Sequence, residues 1–242
     1  MNNTKCEAVC ANGSSQEHAI QAVLFDRDGV LTYFDEEYAA AYFRPLIPIS
    51  VYELGRRWHK MGTAHGFPRN LAEEQAFFAR FWRQIGSEFA LLPQQLAALE
   101  ALDYTRFIVP YPEVRMVLQQ LRSASIRMGV LSNFSMASLE QSLVTAGLAE
   151  FFTVACAAPV IGAAKPSPEA YEIALAAMQV EPESCLFFDD EVACVAGARD
   201  MGLRAYRVDR KASVHDLLHA VVSNLEPVLP LALGLKLCHQ YP

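Results

Sequence analysis

Several absences narrow the possibilities before any motif is considered. No stretch of the 242 residues reaches the roughly 18 consecutive apolar residues expected of a membrane-spanning helix. The opening MNNTKCEAVCANGSSQEH is polar and lacks the apolar core that a secretory signal needs. No block rich in Lys and Arg offsets the net charge of −7, which argues against a nucleic-acid-binding surface. None of the six cysteines stands in C-x-x-C spacing, and the six histidines form no metal-ligand pattern. We therefore expect a cytoplasmic protein with reduced thiols, binding neither membrane nor nucleic acid, as a monomer or a homodimer.

What is present suits a packed enzyme-sized fold. Apolar residues make up 52% of the chain and charged ones 19%, enough for a sizeable core. The length allows one large domain, or a domain carrying an insertion. Short apolar runs occur at Ala22 to Phe25, Ile126 to Leu131, Phe151 to Ala157, Cys185 to Phe188 and Ala205 to Val208. Runs of this length without alternation suit parallel strands covered on both faces. Between them lie helical patterns. Val114, Val117, Leu118 and Leu121 form one apolar stripe, residues 136 to 146 stop at Gly147, Ser167-Pro168 opens another helix, and Val192 to Met201 ends at Gly202. This order predicts a doubly wound, Rossmann-like α/β fold with a parallel sheet.

Residues 34 to 107 break the rhythm. Their composition is helical, prolines and glycines divide them, and they contain no convincing strand. Phe77, Phe78, Phe81, Trp82, Ile85 and Phe89 cluster on one predicted helix, and we read them as the apolar seam of a small bundle ahead of an aromatic ligand box. The expected organisation is a leader over 1–20, a core over 21–33 and 108–224, an all-helical insertion over 34–107, and an apolar tail over 225–242. The tail could pack as a helix or cover an edge or a partner.

The chemistry-bearing residues share one topological property. Asp26, Ser132, Asn133, Asp189 and Asp190 all fall at the carboxyl ends of predicted strands, where a doubly wound sheet binds its ligands. In FDRDG, Asp26 and Asp28 stand one residue apart before Gly29, which lets the chain turn tightly. Two carboxylates held together call for a cation, and Mg²⁺ binds through one or two carboxylates plus a substrate phosphate. A D-x-D pair can also be an ordinary turn, and Asp189-Asp190 an acidic helix cap. Ser132 and Asn133, at the start of a turn into a helix, could cap it or form a phosphate-sized anion site. Lys165, in GAAKPSPEAY, is either a solvated loop lysine or a cation aimed into the acidic crevice.

FDRDGVLT, LSN, K-P-x-P-E-x-Y and FFDD, in this order and spacing, resemble the four motifs of the haloacid dehalogenase superfamily. The likeness spans roughly residues 22 to 209, and GLAEFF, KPSPEAY and VAGARDMGLRA resemble the helical-cap subfamily around those motifs. It implies a Rossmann-like core with a helical cap. It also implies Asp26 as a nucleophile forming an aspartyl-phosphate, with Asp28 as general acid and then base. Ser132 and Asn133 would hold the phosphoryl oxygens and Lys165 would stabilise the charge. Asp26, Asp190 and the backbone carbonyl of Asp28 would bind Mg²⁺, with Asp189 as a supporting partner. One position departs from the pattern: four residues after Asp190, where Asp or Asn is common, stands Cys194.

The resemblance favours a Mg²⁺-dependent phosphatase acting on a small phosphorylated metabolite. A dehalogenase of the same fold would lack the second aspartate, which Asp28 supplies here. A sugar-phosphate mutase is a further alternative, although LTYFDEEYAA has no match to the corresponding region of such enzymes. A non-catalytic binding protein retaining the fold is the reading from a different class. Arg56, Arg57, His59, His65 and Arg69 are candidates to meet a second anionic group of the substrate, and Arg27 faces either the cap or solvent.

Overall fold

The apolar runs become the strands of one sheet in the computed structural model, which describes residues 19–235. After β1 (Ala22–Phe25) and a short β2 (Thr32–Phe34) come four helices: α1 (Glu36–Phe43), α2 (Val51–His65), α3 (Leu71–Glu88) and α4 (Pro93–Glu100). β3 (Ile108–Pro110) then pairs antiparallel with β2. The chain continues as α5 (Val114–Ser123), β4 (Arg127–Ser132), α6 (Leu139–Thr145), β5 (Val154–Ala157), α7 (Ala158–Ile161) and α8 (Pro168–Met178). It closes with β6 (Cys185–Asp189), α9 (Val192–Asp200), β7 (Arg204–Val208), β8 (Val221–Val222) and α10 (Val228–Ala232).

Six strands form a wholly parallel sheet in the order β5-β4-β1-β6-β7-β8. Every residue of β1 is buried, because helices cover both faces. Val23 and Phe25 pack with Val117 and Leu121 of α5 on one side. Ala22 and Leu24 pack with Ala174 and Leu175 of α8 on the other. The doubly wound α/β fold follows from this two-sided burial.

The inserted helices have a core of their own, centred on Phe43, Leu54, Phe81, Trp82 and Ile85 and joined by Phe107 and Met136. Their starts follow capping chemistry. The side chains of Asp35, Ser50 and Asn70 accept hydrogen bonds from the backbone N–H groups of Tyr38, Glu53 and Glu73. The β2–β3 ribbon joins the two chain crossings at the base of this insertion. No strand was expected there, and three-residue strands paired across the whole insertion leave no periodic signal in sequence. Of the alternatives for the tail from position 225, packing as a helix holds over its described part: α10 carries Val228 and Ala232, buried with Leu225 in the core beside α5. The expected leader lies outside the described residues up to position 18, while Ile20 is packed into the core. Cys156, Cys185 and Cys194 are buried free thiols, and no described helix is long and apolar enough to cross a membrane.

Gly129 sits at a tight point of the sheet's packing. A Cβ there would lie 2.6 Å from the Met178 sulfur and 2.8 Å from a Val154 methyl. Gly129→Val is therefore expected to destabilise the fold by about 1–3 kcal/mol. A lowered urea midpoint checks this, and an unchanged midpoint would mean that α8 and β5 yield without cost.

Candidate active site

Three adjacent strands, β4, β1 and β6, deliver the site residues at their carboxyl ends. Phe25 is in register with Val130 on one side and Phe188 on the other. The backbone N–H of Asp26 still donates to the Phe188 carbonyl at 2.8 Å, so Asp26 is fixed by the sheet before its side chain diverges. Ser132 ends β4 and Asp189 ends β6, and both are buried.

Lys165 joins these strand ends. Its ammonium donates to Asp26 Oδ1 at 2.7 Å and to Asp189 Oδ2 at 2.6 Å, with all three side chains buried. Asn133 secures the loop that carries the lysine. Its Oδ1 accepts from the Lys165 backbone N–H and its Nδ2 donates to the Lys165 carbonyl, both at 2.9 Å. The Asn133 side-chain amide is thus engaged by the Lys165 peptide and positions the lysine loop. Helix α6 begins only at Leu139, so Ser132 and Asn133 do not cap it. The Ser132 hydroxyl accepts from the Phe134 N–H at 3.2 Å.

Carboxylate oxygens of Asp26, Asp189 and Asp190 lie within 4.8 Å of one another. Asp189 lies within this acidic group, with one oxygen already taken by Lys165. Its other oxygen accepts from the Glu191 N–H at 2.8 Å. Asp190 approaches closely because Gly29 has no side chain. Gly29 adopts φ +74°, and a Cβ there would collide with the Asp190 carboxylate. The side chain of Asp28 is not part of this group. Arg27 holds it through Nε at 3.1 Å and a terminal nitrogen at 2.6 Å, with Asp28 half exposed at the wall of the cavity.

Arg27 turns away from solvent and lines the cavity beneath the inserted helices. It is 2% exposed, donates to the Ser142 hydroxyl at 2.8 Å, and stacks 3.8 Å from the Phe134 ring centre. Cys194 is buried between sheet and helix, its thiol donating to Glu191 at 3.2 Å and its carbonyl accepting from Tyr171 at 2.7 Å. The lysine is therefore oriented by Asp26 and Asp189, and needs no carboxylate at position 194.

Electrostatics follow from burial. Desolvation pushes the Asp26 carboxyl up to about 7; Lys165 opposes the rise, and Asp189 and Asp28 add to it. Burial also raises Asp190, with the Asp189 charge adding to it. Desolvation works against the Lys165 ammonium, but Asp26 and Asp189 outweigh it and hold the group protonated.

Above this floor opens a cavity of about 560 Å³ whose upper walls come from the inserted helices. Phe78, Phe81 and Trp82 of the aromatic cluster line it, so that cluster is both bundle seam and ligand-facing wall. Arg56, Arg57 and Arg69 lie outside the lining and pair with Glu53, Glu88 and Glu73. Glu74 carried no signal in the sequence. It is a buried carboxylate of α3 that accepts from the Ser138 N–H at 2.8 Å, the Ser138 hydroxyl at 2.6 Å and the Tyr104 hydroxyl at 3.2 Å. It ties the inserted helices to the loop after β4.

A family model described as a haloacid dehalogenase-like hydrolase matches residues 20–202. The chain belongs to that family. It is 36% identical over 217 residues to Phosphatase MT3486 of Mycobacterium tuberculosis, covering 87% of this chain and 97% of that protein. It is 27% identical over 207 residues to (S)-2-haloacid dehalogenase 2 of a Pseudomonas species, covering 82% and 88%. Among solved structures, the L-2-haloacid dehalogenase of Xanthobacter autotrophicus superposes with a TM-score of 0.62 at 22% identity, covering 89% of this chain and 99% of that one, a likeness of fold.

Removing the lysine leaves Asp26 and Asp189 buried without their cation. Lys165→Met is expected to cost about 3–5 kcal/mol of stability in the metal-free protein. Denaturant unfolding at neutral pH checks this, and a loss below 1 kcal/mol would mean that the ion pairs contribute little.

Proposed function

We propose that the chain is a magnesium-dependent hydrolase of small phosphomonoesters. The observation that carries this reading is the group of three carboxylates served by a single ammonium, a formal charge of −2 in a largely buried site. Displacing halide from carbon needs no cation, whereas phosphoryl transfer uses one to balance the phosphate. The donors are all oxygens, which fit a hard octahedral ion such as Mg²⁺. Asp26, Asp189 and Asp190, with the backbone carbonyl of Asp28, would hold it. Bound there, magnesium would supply charge neutralisation to the phosphoryl oxygens. The phosphatase from Mycobacterium tuberculosis, similar over nearly its whole length, supports the same choice.

The chain's own residues account for the remaining steps. A free oxygen of Asp26 attacks phosphorus, and the bond from phosphorus to the alcohol oxygen breaks. Asp28, at the cavity wall beside Arg27, enters this step protonated and gives that oxygen its proton. It then takes a proton from the water that attacks the aspartyl-phosphate, and the Asp26 carboxylate is regenerated as phosphate leaves. Lys165 neutralises charge at the nucleophile throughout, and Asn133 keeps its loop in place.

The direct test is hydrolysis of p-nitrophenyl phosphate with and without Mg²⁺, alongside halide release from 2-chloropropionate. Magnesium-dependent phosphate release is expected, falling by roughly 10⁴-fold or more in Asp26→Asn. Halide release without phosphate release would establish the dehalogenase reading instead.

A second expectation concerns pH. The folded-state value of Asp26, about 7, lies above its ordinary 3.8. The proton on Asp26 therefore favours the metal-free fold, fully below about 3.8 and decreasingly as pH rises through about 7. Magnesium must displace that proton, so it should raise the melting temperature more at pH 8 than at pH 5.5. Equal gains at both pH values would contradict the assignment of Asp26 to the cation.

A further inference from the structure

The cavity is charged at its floor and apolar at its walls. Every ionisable lining residue other than Tyr104 belongs to the floor: Asp26, Arg27, Asp28, Lys165, Asp189, Asp190 and Glu191. The inserted helices contribute Phe43, Leu54, Trp58, Phe78, Phe81 and Trp82, and among the described residues 34–107 no Lys, Arg, His, Asp or Glu lines the space. The hydroxyl of Tyr104 is already engaged with Glu74 and Ser138. A sugar or amino-acid group entering here would lose its hydration and find, beyond the indole N–H groups of Trp58 and Trp82, no polar side chain of the inserted helices free to replace it, a cost of several-fold to many-fold in affinity. An apolar group would instead gain from leaving water, and aromatic rings would meet aromatic walls.

We propose that this site takes phosphomonoesters of apolar, ring-bearing alcohols, and discriminates against sugar phosphates and phosphoamino acids. The inference rests on the phosphatase reading above and adds the class of leaving group. The volume of about 560 Å³ holds a phosphoryl group on the floor and a ring-sized group against Trp58 and Phe78. Gly55, on α2, lies at the wall where an added Cβ would meet nothing within 4 Å. A side chain there starts from the cavity wall with no clash at its Cβ.

Two measurements test the proposal. In the first, kcat/KM in Mg²⁺ is compared for 3-phenylpropyl phosphate, glucose 6-phosphate and phosphoserine, all esters of primary alcohols. The phenylpropyl ester is expected to be favoured by about 10- to 100-fold, chiefly through KM, the value of burying one phenyl-sized group. In the second, both tryptophans of the chain, Trp58 and Trp82, line the cavity, so their fluorescence reports binding without turnover. Titration should show 3-phenylpropylphosphonate binding more tightly than methylphosphonate by a similar factor, and Gly55→Phe should cut that ratio at least tenfold. A ratio near one, or preference for glucose 6-phosphate or phosphoserine, overturns the substrate class and leaves the phosphatase intact. Failure to hydrolyse or bind any of these phosphorus compounds, with halide released from 2-chloropropionate, overturns both.

Discussion

One lysine holds the site together. Two neighbouring parallel strands, β1 and β6, bring carboxylates to their ends, and the Lys165 ammonium touches one from each, Asp26 and Asp189, where water is excluded. Two buried carboxylates at that distance would repel strongly without a cation between them. The lysine comes from a loop and not from the sheet, so its placement depends on something rigid. Asn133, one residue beyond β4, provides this by bonding both the N–H and the carbonyl of Lys165. Sheet, amide, lysine and carboxylates therefore form one continuous chain of constraint. The −2 charge that remains is the part of the arrangement that the protein does not balance itself.

The inserted helices solve a different problem. Their aromatic residues must bury enough surface to hold four helices together, yet leave a space above the carboxylates. Glu74 fixes the two parts against each other through Ser138 and Tyr104. A buried carboxylate in such a position is stabilising only with all its partners present, which gives the contact geometric specificity as well as energy. Polar floor and apolar wall then meet at a defined distance, the arrangement expected when one end of a substrate is charged and the other is not.

Much of the fold was legible because parallel strands covered on both faces appear as plain apolar runs, as in AVLF and CLFF. The two- and three-residue strands were not, since pairing between Thr32–Phe34 and Ile108–Pro110 depends on contacts across the whole insertion. At the site, strand-end position was enough to bring Asp26, Ser132 and Asp190 into one crevice on paper. Spacing could not distinguish Asp189 from Asp190, because which of two adjacent aspartates turns inward depends on the strand's last residue. Arg27 was equally opaque: its burial is decided by Ser142 and Phe134, distant in sequence. The aromatic cluster on α3 was recognised, but a helical stripe looks the same whether it faces another helix or a cavity.

The central claim is that Asp26 takes up a phosphoryl group, and the most direct measurement is mass spectrometry of its peptide. The protein would be quenched in acid during turnover of a phosphomonoester with Mg²⁺ and digested. The account predicts a phosphoryl adduct confined to the peptide carrying Asp26, absent in Asp26→Asn. An unmodified peptide from an enzyme caught in turnover, or an adduct formed only with 2-chloropropionate, would contradict it.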